Sequence, residues 1–364
     1  MFDAMIGAIY DAPLADRPWA DLAGRLRHQL GGTGTMFRFA PRGRPDGDNR
    51  FVFDAGWDAR ESWSLYDSIY RHLDPTSRRP MAVGTVYDFA SLMPDFADPG
   101  DENARYARFC RSIGANHALF AYLGAYRGIE AWLSISRDDE AGAFGQGDVA
   151  MLAALLPHLS RAVDIHARLE AERTAGDIHA SALADLGVGM ILLDGAGAIT
   201  GTNRLAETLL DRGTAVARDG DRLKVRGAGG SALRGSLRQG NAGSVIVAGD
   251  GLGDRLHLLV RAWDGDAGTG AGAAYVVYLD SPADRAVPRI DALRRHLGLS
   301  HAEARLAALL AGGTPLDEAA IVMGLTRASA RTYCKRVLAR TGATRQADLI
   351  RMVLTSLARL DRPH

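Results

Sequence analysis

The clearest periodicity in the chain lies near its middle, where Val149, Leu152, Leu155, Leu156, Leu159 and Val163 recur at three- and four-residue spacing. Apolar residues at that interval line one face of a helix. The pattern predicts a continuous helix from Gly147 to about Leu186, with Leu169 and Ile178 thinning the stripe. Pro157 lacks a donor N–H and is expected to bend or locally break it. Such a helix between two modules fits a dimer seam or signalling rod, and its apolar first half fits closure of the first module equally well.

Before this helix, period-two alternation predicts strands near Thr35–Ala40, Phe51–Gly56, Val83–Phe89, Ala118–Ala125 and Glu130–Ser136. The polar loop Pro41–Asn49 separates the first two strands. Helical spacing predicts helices over Leu14–Leu30, Glu61–Leu73 (rich in aromatics) and Asn103–Ser112. This order suits an antiparallel sheet with helices packed against it.

After the long helix, Gly189–Asp194 reads as a buried strand, Gly195-Ala196-Gly197 as a tight turn and Ala198–Thr202 as the returning strand. Asn203 is placed to cap a helix over Arg204–Leu210. Strands near Ser244–Val247, Arg255–Trp263 and Ala274–Leu279 would complete a small second sheet. The glycine-rich loops Gly227–Gly230 and Asp264–Gly272 are expected to be mobile, and Ser281–Pro288 reads as a linker.

The end of the chain carries the densest local signals. Ser300-His301-Ala302-Glu303 has the form of a capping box, opening a helix through Ala304, Leu306, Leu309 and Leu310 that stops at Gly312-Gly313. Thr314 is expected to cap a second helix with Pro315 at its first position, ending at Met323 before Gly324. Thr326 should cap a third helix from Arg327 to about Arg340, ended by Gly342, and Thr344 a fourth through Leu349, Ile350, Val353 and Leu357. A short helix, a glycine turn and a longer basic helix form the helix-turn-helix pattern.

The third of these helices divides by face. Ala330, Cys334, Val337, Leu338 and Thr341 fall on the side expected to pack. Arg331, Lys335, Ala328 and Thr332 fall on the other, flanked by Arg327 and Arg336, with small Ser329 near the start. Arg327, Ser329, Arg331, Thr332, Lys335 and Arg336 are therefore the candidate contacts to double-stranded DNA, where Arg and Lys donate to guanine acceptors in the major groove.

Charge supports the division. The formal net charge of zero hides 13 Arg and Lys against 6 Asp and Glu from Arg289 to His364, a balance of +7. The remainder holds 30 basic and 37 acidic residues, a balance of −7. A basic module beside an acidic bulk points to a polyanionic partner. The composition, 47% hydrophobic and 24% charged, is that of a globular protein. With no signal-like segment and no run of eighteen uninterrupted apolar residues, a cytoplasmic protein without membrane contact is expected. Only Cys110 and Cys334 occur, which argues against a disulfide framework or a cysteine-rich zinc site. No nucleophile elbow or phosphate loop is present, since Gly31-Gly32-Thr33-Gly34 lacks the following Lys-Ser/Thr. No enzyme activity, metal or cofactor is expected.

The terminal segment resembles the LuxR-type helix-turn-helix family over about sixty residues. The similarity is carried by Leu299-Ser300-His301-Ala302-Glu303, Asp317-Glu318-Ala319-Ala320, Met323-Gly324-Leu325-Thr326, Ser329-Ala330-Arg331-Thr332, Arg340-Thr341-Gly342-Ala343 and Arg345-Gln346-Ala347-Asp348-Leu349. Ala319 and Ala330 replace bulkier aliphatics, and Tyr333 stands where His is common. The resemblance implies a homodimer on two-fold-symmetric DNA. Its fourth helix would make the dimer contact through Leu349, Met352 and Val353, unless these residues close the domain core. The first module resembles GAF domains and the second PAS domains. The expected organisation is a multidomain chain of two α/β sensor modules, of the antiparallel α+β kind, and an all-α four-helix domain. The modules span 1–147 (GAF-like), 148–186 (coupling helix), 187–282 (PAS-like) and 289–360 (helix-turn-helix).

An effector site is sought among the aromatics. Trp63, Tyr66 and Tyr70 lie at helical spacing ahead of Asp74-Pro75, with Trp57 upstream. They fit an apolar pocket wall with a carboxylate acceptor, or an ordinary packed helix. The spacing is similar to, without matching, the Trp–Tyr–Asp set of acyl-homoserine-lactone receptors, and a lactone is not expected. His117 and Trp132 complete the candidate ligand residues. The partners expected are thus DNA, a second copy and a small apolar or aromatic effector. The alternative is a constitutive DNA-binding regulator whose front modules serve dimerisation or a protein partner.

Overall fold

The computed structural model describes residues 2–42, 49–55, 66–74, 80–92, 102–239, 244–249, 255–263, 274–281, 287–356 and 358. Trp57, Trp63, the loop Asp264–Gly272 and most of the Ser281–Pro288 linker lie outside them. The chain divides into two compact units, Met1–Thr174 and Ala175–His364.

The first unit opens with helix α1 (Phe2–Asp11), which was not expected, and helix α2 (Ala20–Gln29), which starts later than the helix expected over Leu14–Leu30. Pro18 accounts for the late start of α2, since it cannot donate within a helix. Trp19, at α2's N-cap, adopts a left-handed φ of 71° with its side chain buried. Strands β1 (Gly34–Pro41), β2 (Arg50–Ala55), β3 (Val86–Asp88), β4 (His117–Tyr126) and β5 (Ile129–Arg137) form one antiparallel sheet in the order β2-β1-β5-β4-β3. Phe89–Leu92 is a short helix, α3, and Glu102–Ser112 is α4.

Strand alternation gives this sheet two different faces. Leu119, Ala121 and Leu123 of β4 join Phe37, Leu133 and Ile135 in a core with Trp19, Leu22 and Leu26 from the α2 region. Leu152, Leu155, Leu156 and Leu159 of the long helix α5 (Gln146–Asp185) complete it. Each fully buried leucine contributes about 1.5–3 kcal/mol. Helix α5 runs through Pro157 without a break, so of the bend or local break expected there the break does not occur. Proline removes a single i→i−4 bond, and the buried leucines on either side hold the helix together. Ala118 of β4 turns to the opposite face and joins Tyr66, Leu73, Phe89, Tyr106, Phe109 and Cys110, with Phe120 packed against them. Of the aromatic helix expected over Glu61–Leu73, the described part is a wide turn at Tyr66–Tyr70 followed by a tight one at Arg71–Leu73.

The second unit contains strands β6 (Val188–Leu193), β7 (Ile199–Thr202), β8 (Val216–Asp219), β9 (Arg222–Val225), β10 (Ser244–Ala248), β11 (Leu256–Ala262) and β12 (Tyr275–Asp280). Its main sheet has the order β10-β11-β12-β6-β7, while β8 and β9 form a separate hairpin. Setting that hairpin aside and counting within each unit, both large sheets run 2-1-5-4-3. Helices α6 (Arg204–Arg212) and α7 (Gly229–Gln239) cover the second sheet. Asn203 is buried with four hydrogen bonds. Its Oδ1 accepts from the N–H groups of Ala206 and Met190 at 3.0 Å, and its Nδ2 donates to the carbonyls of Val188 and Ala180 at 2.9 and 3.2 Å. One side chain thus caps α6 and ties it to β6 and the end of α5, with no polar atom left unpaired.

The glycine-rich Gly227–Gly230 stretch, expected to be a mobile loop, instead carries two buried glycines at the start of α7. A Cβ on Gly230 would lie 2.6 Å from the Val225 carbonyl oxygen, so only glycine permits this approach.

The chain ends in five described helices, one more than expected: α8 (Ile290–Leu297), α9 (His301–Ala311), α10 (Leu316–Met323), α11 (Arg327–Thr341) and α12 (Gln346–Thr355). They share a core of Leu293, Leu306, Leu310, Val337, Leu349 and Val353. Leu349 and Val353, weighed above as dimer contacts, are fully buried here and close this core. Among the described residues, no helix is long and apolar enough to cross a membrane.

Candidate nucleic-acid interface and ligand cavity

Local rules build the terminal helices. Ser300 accepts from the Glu303 N–H at 3.4 Å, and Glu303 Oε2 accepts from the Ser300 N–H at 2.8 Å, which completes the capping box. These bonds, led by the one from the Ser300 backbone, hold the Glu303 carboxyl below its ordinary range despite burial, and Arg340 and Arg336 act in the same direction. Pro315 occupies the N-cap of α10, one position earlier than expected, and makes no side-chain cap bond. Arg345 rather than Thr344 is the N-cap of α12, and the Thr344 hydroxyl donates to Asp348 at 2.8 Å.

Gly324 ends α10 with φ of 69°, in the left-handed region that side chains disfavour. Thr326 caps α11 by accepting from the Ser329 N–H at 3.1 Å, and its hydroxyl donates to Ser329 Oγ at 3.0 Å. Ala330, Cys334 and Val337 are buried, while Arg327, Ala328, Arg331, Thr332, Lys335 and Arg336 are exposed.

The cations of α11 differ in how they are held. Arg327 pairs with Asp317 at 2.8 Å. Arg340 lies against Glu303 at 3.5 Å and donates to the Gly298 carbonyl at 3.1 Å. Arg336 sits 5.9 Å from the Tyr333 ring. Arg331 and Lys335 have no carboxylate partner among the described residues, so their charge faces outward uncompensated. The Thr332 hydroxyl donates to the Ala328 carbonyl at 3.0 Å and keeps its acceptor capacity.

In the first unit a cavity of about 70 Å³ opens on the aromatic face of the sheet. Phe53, Phe89, Phe109 and Phe120 supply apolar wall, and Asp74 and Thr35 are among its polar groups. Tyr66 Oη donates to Asp74 Oδ2 at 2.5 Å, and Arg38 Nη1 donates to Tyr66 Oη at 3.4 Å. Thr35 Oγ1 is buried and has no hydrogen-bond partner among the described residues. Burial, with Asp74 nearby, pushes the Tyr66 and Tyr106 phenols and the Cys110 thiol well up, so all three remain protonated.

Of the candidate ligand residues, the structure brings Tyr66 and Asp74 together in this cavity. Tyr70 stacks on Phe109 at 4.3 Å behind the wall. Trp132 shares the sheet face of Ser134 but is covered by the Arg38 guanidinium 3.9 Å from its ring, and does not line the space. His117 lies on the opposite side of β4 from Ala118 and Phe120 and approaches Asp139 at 3.7 Å. Thr35, Tyr106 and Cys110 are lining residues that sequence reasoning missed. They are distant in sequence, and no local pattern links them to Asp74.

No protein-family model and no curated protein matches the chain. Among solved structures, it is similar to CepR2 of Burkholderia cenocepacia, an N-acylhomoserine lactone dependent LuxR family transcription factor. That match has 19% identity and a TM-score of 0.33, covering 46% of this chain and 95% of that one. Similarity to Escherichia coli SdiA extends over 98% of both chains at 11% identity and a TM-score of 0.35. The phage VqmA–DPO complex matches over 50% of this chain and 91% of that one, at 15% identity and a TM-score of 0.19.

Proposed function

We propose that the chain is a sequence-specific DNA-binding transcription regulator of the LuxR type. Its α10–Gly324–α11 segment would be the helix-turn-helix, with α11 in the major groove. The observation that carries this reading is the outward face of α11, where Arg331 and Lys335 stand exposed beside Thr332 without carboxylate partners among the described residues. Capping by Thr326 and the turn at Gly324 fix that helix against its buried face. The reading includes a homodimer on two-fold-symmetric DNA, since paired half-sites give one short helix enough contacts for specificity. The two sheet-bearing modules are read as GAF-like and PAS-like sensors, a reading supported by their common antiparallel strand order.

The cavity beside Asp74 is read as the effector site. It would take a small apolar or aromatic molecule that donates a hydrogen bond to the carboxylate and offers an acceptor to Thr35 Oγ1. Such an effector changes DNA affinity only if it binds the two dimer geometries unequally. A second reading, constitutive DNA binding, is favoured by one observation: Tyr66 and Arg38 already occupy part of the hydrogen-bonding capacity around Asp74.

Selection of bound duplexes from a random-sequence pool, followed by electrophoretic shift on the enriched site, tests the reading. A two-fold-symmetric site retarded at dimer stoichiometry is expected. Failure to enrich any sequence over competitor DNA would overturn it.

A further inference from the structure

The second unit carries a cationic cleft outside the DNA-reading helix and outside the first unit's cavity. It has a volume of about 440 Å³, within the range of small-molecule sites. Arg222 and Lys224 of β9 and Arg234 and Arg238 of α7 line it together with the acidic Asp219, and Leu223 and Leu237 contribute apolar lining. From Arg212 to Arg238 the sequence holds 7 basic and 2 acidic residues, a balance of +5. Residues 187–282 as a whole hold 10 of each, so the positive charge is concentrated in this stretch.

The walls are built rather than incidental. Asp194 Oδ1 accepts from the N–H groups of Ala196 and Ala198 at 2.9 and 2.8 Å, which fixes the Gly195–Gly197 turn at the mouth. The Ile199 N–H donates to the Asp221 carbonyl at 2.7 Å, and an Ala198–Arg222 bridge fastens the β8–β9 hairpin to that turn. Tyr275 Oη donates to the Leu237 carbonyl at 2.9 Å and pins α7. Gly230 lets α7 approach β9 with no side chain between them.

Two other arginines of this unit are paired with carboxylates, Arg204 with Asp185 at 3.1 Å and Arg218 with Glu207 at 2.5 Å. In the cleft Lys224 has Asp219 at 3.5 Å, but Arg222, Arg234 and Arg238 have no carboxylate partner among the described residues. Guanidinium groups lining one cleft can match phosphate oxygens in charge and in bidentate geometry. A duplex backbone would leave the half-buried Leu223 and Leu237 facing water, whereas a molecule joining phosphates to a flat or apolar body covers them. We infer that this cleft is a second ligand site, for a phosphorylated small molecule of the nucleoside polyphosphate class.

Calorimetric titration of the full chain with ATP and with GTP, at about 150 mM salt, tests this. At least one nucleotide should bind with micromolar affinity, weakening about tenfold or more in Arg234→Ala/Arg238→Ala. Arg204→Ala, which alters a paired arginine away from the cleft, should leave the affinity unchanged. Both variants should keep the parent melting temperature, because the arginines replaced are exposed. Absence of binding by either nucleotide would overturn the inference, as would equal binding by parent and double variant. If the double variant instead weakens only binding to non-operator duplex, the cleft grips a DNA backbone and the inference fails.

Discussion

The Tyr66 hydroxyl donates to the Asp74 carboxylate at 2.5 Å, with 3% and 4% of the two residues exposed. A buried carboxylate is tolerated only where donors converge on it. This pair therefore joins the stability of the first unit to the chemistry of its cavity.

Tyr66→Phe removes that donor while preserving the ring packing on Phe109. The expected cost is about 1–3 kcal/mol, the penalty for withdrawing a partner from a buried polar group. Thermal or urea unfolding measures it. Under the effector reading, the same variant also changes ligand affinity, because the Asp74 carboxylate gains a vacant acceptor position.

Arg331→Ala/Lys335→Ala should weaken DNA binding and flatten its salt dependence. Each lost phosphate contact lowers the slope of log affinity against log salt by roughly 0.9. A loss restricted to the selected site would assign these residues to base edges, and a loss equal on all sequences to phosphates. Binding curves that superimpose on the parent's at every salt concentration would remove this face from the interface.

Gly324→Ala forces a side chain into a φ of 69°. The expected loss is about 1–2 kcal/mol from the terminal helices, with the surrounding space otherwise empty. Ser300→Ala, which removes one half of the capping box, should cost about 1 kcal/mol. Hydrogen exchange resolved to α9–α11 would locate both effects.

Acid should destabilise the two units by different routes. His166 is buried between Trp19 and Phe39, at ring-centroid distances of 5.7 and 5.3 Å, and burial lowers its pKa from 6.5. The unfolded chain then binds a proton that the folded one refuses, so this stability is present above pH 6.5 and lost as pH falls through the lower folded value. His166→Leu should flatten the melting profile of the first unit in that window. Glu303 has a folded pKa lowered from 4.5, so its contribution is present above 4.5 and lost below it, as pH falls through the folded value. Glu303→Gln should reduce the acid sensitivity of the terminal helices alone.

Much of the terminal segment was legible because its signals are local. The Ser300 and Thr326 caps, the turn at Gly324 and the division of α11 into buried and exposed faces all depend on residues within about four positions of one another. Errors of one position at Pro315 and Arg345 arose where the cap makes no side-chain bond that would mark it. Helix α8 and the β8–β9 hairpin were missed because they are short, and α7 because glycines begin it.

By itself, then, the sequence determined the caps at Ser300 and Thr326 and the turn at Gly324, the strand alternation, and which cations lie on one face of α11. Only the tertiary structure decided which side chains meet. It set Thr35, Tyr66, Asp74 and Cys110 around one cavity, turned His117 to the other face of β4, and covered Trp132 with Arg38. It also drew Arg222 and Arg234 to one cleft. The physical reason is that caps and periodicity are short-range along the chain, whereas a site forms from residues joined by sheet register and by the packing of helices on a sheet face.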